Sequence, residues 1–212
     1  MQWTLRVNWT SPLEDPIAEG RRIWGWIQAV RPLHPSLDLW RPTMDTRQLA
    51  EQAPPITPDL FLERIHTRQQ ETQDIPGIAV TPAFSGQIGH GNKLSLSLGY
   101  PTPDINGLDL YIGDHLSTAL ETNPNLADAL LATAADHLTP TIASLQLTSA
   151  PLPAQRPPYK YVQGWKMYFP TTSPHHQRAH QLATQTLPTT NGHILTYGTP
   201  HTYPTILSQW TT

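Results

Sequence analysis

Trp3, Leu5, Val7 and Trp9 alternate with Gln2, Thr4, Arg6 and Asn8. That period of two predicts a strand with one face in a core and the other toward solvent. A helix-period segment follows, in which Ile23, Trp24, Ile27 and Val30 share one face. Five of the seven tryptophans fall in the first forty residues of a chain that is only 8% aromatic. So much indole area in one place fixes the start of the core as a strand with a helix laid across it. Trp26 falls at the border of the helix face.

A chain of 212 residues fits one domain over 1–212, or two packed halves joined near 114–125. At this length about 70% of the surface of the unfolded chain can be buried. Charged residues make up 14% and the formal net charge is −3, so the polar surface is largely uncharged. The clustered lysine and arginine of a nucleic-acid binder are missing. The absence of cysteine excludes disulfides, thiolate metal ligands and a cysteine nucleophile. Met1 leads straight into the first strand with no signal-peptide pattern. No apolar run approaches the roughly 18 residues that span a bilayer. No membrane association is expected, and the location expected is cytoplasmic.

The first helix should open at Asp15-Pro16 and stop before Pro32. A short helix is predicted over 46–52, and a longer one opens at Thr57-Pro58-Asp59 with Leu60, Phe61, Leu62 and Ile65 as its stripe. A strand at 78–84 is edged by Pro82. Leu94, Leu96 and Leu98, then Leu108, Leu110 and Ile112, mark two strands of a hairpin with a long loop over 101–107, where Asn106-Gly107 reads as a turn. A helix over 125–138 precedes strand candidates at 141–148 and 159–169, a polar helix after Pro174, a hairpin at Asn191-Gly192 and an apolar segment at 206–210. Strands with one apolar face favour antiparallel pairing over a doubly wound parallel sheet. The fold class expected is α+β: a mainly antiparallel or mixed sheet with helices packed largely on one side.

Catalytic constellations are scarce. His175, His176 and His180 are the densest histidine group, and the last two have the i, i+4 spacing that puts two imidazoles on one helix face. A hydrolytic zinc helix of that spacing carries a glutamate between its ligands. Here the intervening residues are Gln177, Arg178 and Ala179, and no acidic residue follows Asp136. A solvated polar helix is therefore expected, with no metal and no cofactor; the rival readings are a metal-dependent hydrolase on these three histidines and a non-enzymatic adaptor module. Gly86-Gln87-Ile88-Gly89-His90-Gly91 leads into a strand and presents no helix N-terminus to a phosphate. Asp104, Asn106 and Asp109 lack the ligand spacing of an EF-hand, and Ser85, Ser95 and Ser97 lack a nucleophile elbow.

The order of segments resembles the immunity protein 52 family of bacterial polymorphic-toxin systems. The resemblance rests on the strand 3–9 with its helix reaching Trp40, the strand pair of 84–100 around Gly91, Asn106-Gly107-Leu108-Asp109-Leu110, the helix into Pro140, Gly164-Trp165-Lys166-Met167-Tyr168, and 192–200. It implies an α+β protein without enzymatic activity that binds and neutralises a co-encoded toxin, with a nuclease of restriction-endonuclease-like fold as one class of partner. Acidic residues would then steer association and mimic phosphate. The candidates are Glu14, Asp15 and Glu19 on the first helix and Asp104, Asp109 and Asp114 around the hairpin, with Trp26 or Tyr100 as an aromatic anchor.

Overall fold

The computed structural model describes residues 2–10, 15–72, 74–75, 79–86, 90–101, 104–148 and 164–208. The opening pattern folds as β1 (Trp3–Thr10), with Trp3, Leu5, Val7 and Trp9 all buried. β1 takes β5 (Asp104–Ile112) on one side and β6 (Ile142–Leu147) on the other, so its apolar residues lie mid-sheet. The remaining strands are β2 (Arg41–Pro42), β3 (Ala83–Ser85), β4 (Lys93–Pro101), β7 (Lys166–Pro170), β8 (Gln185–Pro188) and β9 (Gly192–Thr196). Together they form one nine-stranded sheet in the order β2-β3-β4-β5-β1-β6-β7-β9-β8. Each named pairing is antiparallel. Residues 3–112 thus supply one half of the sheet and residues 142–196 the other.

α1 (Pro16–Val30) starts where Asp15 caps it, accepting from the Ile17 amide at 2.9 Å. Its buried stripe is Ile23, Trp26, Ile27 and Val30. This corrects the expected face: Trp26 is fully buried, and Trp24 lies at the margin against Phe61 of α3 (Pro58–Thr72), ring centroids 5.5 Å apart. Phe61 in turn stacks on Phe84 of β3 at 4.7 Å. α2 (Arg47–Gln52) is capped by Thr46. α4 (Asp114–Thr122), which had no counterpart in the sequence pattern, leads into α5 (Pro124–Leu138). Arg22 of α1 donates to the Leu138 carbonyl at 2.8 Å, tying α1 to the end of α5. α1, α3 and α5 therefore share one face of the sheet. α6 (His176–Leu182) lies on the opposite face of β7 and β9, where the Tyr197 hydroxyl donates to the buried Ala179 carbonyl at 3.3 Å. α7 (Tyr203–Ser208) places its tyrosine hydroxyl to accept from the Leu147 amide at 2.9 Å.

Three expectations fail for physical reasons. Asn106-Gly107 is not a turn but lies inside β5, opposite Trp9 and Asn8. Asn106 is buried, and its side-chain oxygen accepts from the Gly99 amide at 3.0 Å beside the register shift in β4. A Cβ at Gly107 would stand 3.3 Å from the Asn8 side-chain oxygen, so that Asn8 would have to give by a few tenths of an ångström. β7 also breaks the one-face pattern: Lys166, Met167, Tyr168 and Phe169 are all buried, since α5 covers one face and α6 the other. Residues 159–163 of that expected strand lie outside the described residues. The predicted strand at 78–84 shrinks to β3 plus a bridge from Val80 to Leu98, with position 78 also outside the described residues.

Candidate functional site

The i, i+4 pair of α6 is joined by a third histidine. Antiparallel pairing sets His193 of β9 between Phe169 of β7 and Pro188 of β8. There it faces His176 and His180, and the nitrogens that these three rings can offer a metal all lie within 4.8 Å of one another. His176 Nε2 and His193 Nδ1 share a hydrogen bond of 2.8 Å. Ring centroids are 4.5 Å apart for His176 and His180, 5.0 Å for His176 and His193, and 4.7 Å for His180 and His193. His180 Nε2 is buried without a hydrogen-bond partner. Burial lowers the pKa of His176, and the neighbouring His193 adds to the effect. Burial does the same for His180, with His176 and His193 contributing next. The neutral imidazole, the form that ligates metals, is thereby favoured. No carboxylate joins the group among the described residues.

The expected trio of His175, His176 and His180 is thus corrected at one position. His175 is the residue before α6 and stands outside the group, and His193 takes its place. Nothing in the local sequence marks His193, because only the register of β7, β9 and β8 carries it under α6. A second pair, His90 and His115, stacks at 4.5 Å, but the neighbouring His34 directs its Nδ1 to Ser36 Oγ at 2.7 Å. Among the described residues no third ligand completes that pair.

The expected partner residues are scattered. Trp26 is 0% exposed and Glu19 only 6%, so neither is offered to a partner. Glu19 accepts from the Trp9 indole at 2.9 Å and from Arg22 at 2.9 and 3.0 Å, which makes it an internal tie. Asp109 is held by Arg6 across the β1–β5 pair in a two-pronged bond of 2.6 and 3.0 Å. Asp15 and Asp114 are exposed. Tyr100 pairs with Ile105, and Asp104 opens β5, at the sheet end where β1 finishes. Asp114 follows Ile112, the partner of Trp3, and so lies at the other end of the same strands. Glu14 lies outside the described residues.

No family model and no curated protein matches the chain. Among solved structures it is similar to the Pseudomonas aeruginosa T6SS protein PA0821, at 11% sequence identity and a TM-score of 0.48, over 98% of this chain and 74% of that one. A likeness of that size decides nothing about activity. No helix among the described residues is long and apolar enough to cross a membrane.

Proposed function

We propose that the protein is a non-enzymatic immunity protein of bacterial competition, which binds a co-encoded toxin in the cytoplasm and covers its active site or substrate groove. The observation that carries this reading is a division of charge along the sequence. Residues 1–136 hold nine basic and all sixteen acidic residues, a formal −7, whereas residues 137–212 hold four basic and no acidic residue, a formal +4. The strands of residues 3–112 form one half of the sheet and those of 142–196 the other, while Asp128 of α5 reaches Lys166 in the second half. Exposed acidic residues suit a partner whose groove is basic, as in a nuclease, and raise the rate of encounter. Asp15 and Asp114, both exposed, are the charges available for it among the expected residues with described side chains. The collinear segments of the immunity-family resemblance also coincide with β1, the β4–β5 hairpin, α5, β7 and β9. An interface of about 1,600 Å² is expected.

The test is co-expression with the toxin domain encoded beside this chain. Protection from killing supports the proposal, and killing that proceeds unchanged overturns it. For the purified pair, the association rate should fall at least about tenfold between low and physiological salt. A rate indifferent to salt rejects the electrostatic version.

A further inference from the structure

We propose that His176, His180 and His193 form a binding site for one divalent transition-metal ion, with Zn²⁺ as the best fit. Their present arrangement leaves polar atoms poorly served. One hydrogen bond joins His176 and His193, while His180 Nε2 is buried with no partner. A single cation accepting one lone pair from each ring serves all three at once.

The geometry is close to what such an ion needs. Zinc–nitrogen bonds of about 2.0–2.1 Å at tetrahedral angles separate ligand nitrogens by about 3.3–3.4 Å. The nitrogens here lie within 4.8 Å of one another, with one pair at 2.8 Å, so the separations bracket the required value. Side-chain rotation of about 1 Å at the ring nitrogens closes the difference. The backbones beneath the rings are fixed. Ala179 is fully buried and bonded to Tyr197, which clamps α6 to the sheet, and His193 is locked between two neighbouring strands. Three imidazoles with no carboxylate select zinc, copper or nickel over magnesium and calcium. All three rings are half-buried rather than sealed, so water can take the fourth position. Binding would staple α6 to the β8–β9 hairpin. The site does not depend on the immunity reading.

The test uses the full chain, treated with chelator, dialysed, and titrated with Zn²⁺ under equilibrium dialysis. One ion per chain is expected, together with a rise in Tm. His176→Gln and His193→Gln should each weaken binding by at least about tenfold, since loss of even an outer partner of a metal ligand costs about 10- to 100-fold. His66→Gln and His201→Gln, at exposed positions, should change nothing. Absence of stoichiometric zinc, equal losses in the two control variants, or equal binding of Mg²⁺ overturns the site. If a glutamine variant does not fold, the imidazole resonances of the unaltered protein decide. Joint perturbation of these three rings by Zn²⁺ supports the site, and perturbation of a different set refutes it.

Discussion

Lys166 is a charged residue in a strand buried on both faces, and it predicts a specific asymmetry. Its side chain is 3% exposed, and its ammonium lies 2.6 Å from Asp128 Oδ1 of α5. The ammonium also stands 5.3 Å from the centre of the Trp165 ring. Asp128→Ala would leave that charge with a ring face and no carboxylate. Deleting one member of a buried pair costs about 3–5 kcal/mol, because the remaining charge is stranded in a medium of low dielectric. Asp128 itself is 21% exposed, so water can enter the vacated space and the lower end, about 3 kcal/mol, is expected. At about 2–4 °C per kcal/mol for a chain of this size, Tm should fall by about 6–12 °C. Lys166→Met keeps the aliphatic volume and removes the charge. The double variant Asp128→Ala/Lys166→Met should therefore return to within about 1 kcal/mol of the parent. Urea titration followed by circular dichroism on all three variants reads these differences directly. If Lys166→Met costs as much as Asp128→Ala, and the double variant is no better than either, attraction rather than desolvation governs the pair and the reasoning fails.

Two further outcomes follow from the same half of the sheet. A Cβ at Gly192 would stand 2.2 Å from the Phe169 carbonyl oxygen and 2.8 Å from Pro170 Cα. Both are backbone atoms, so Gly192→Ala should destabilise by about 3 kcal/mol, the upper end for overpacking; a shift in urea midpoint worth under about 1 kcal/mol would contradict this. Burial holds His176 and His180 below their ordinary pKa, so the unfolded chain binds protons more readily than the folded one. Their contribution to stability is then complete above about pH 6.5 and declines as pH falls below it. With chelator present, the urea midpoint should drop between pH 7 and pH 5 by more than it does in His176→Gln/His180→Gln, and equal drops would show that these rings are not responsible.

The parts of this fold legible in the sequence are those whose burial is one-sided. β1 and α5 each bury one stripe, and the alternation at residues 3–9 and the helical repeat at 125–138 located both. The start of α1 was legible because Asp15-Pro16 is a local capping device. Trp26 was misplaced because α1 meets both the sheet and α3. The buried stripe keeps Ile23, Ile27 and Val30 and takes Trp26 in place of Trp24, which packs against Phe61 of α3. Asn106-Gly107 carries the composition of a turn, yet the two residues pair with Trp9 and Asn8 of β1, partners distant in sequence. The histidine group was half legible. The i, i+4 pair is local, but His193 arrives through three strand registers that no local pattern encodes.

The two ends of the sheet are supported unequally, and this gives the histidine group a structural rationale. In the half built by residues 3–112, the Phe61–Phe84 stack and the Trp9–Glu19–Arg22 tie bind helices directly to strands. At the other end β8 is exposed along its whole length, so it buries little, and its short span ending in Pro188 blunts the free edge. The hairpin it forms with β9 is held from one side by β7, with the short helix α6 on one face and α5 reaching only β9 on the other. A cross-link between α6 and β9 would act where burial contributes least.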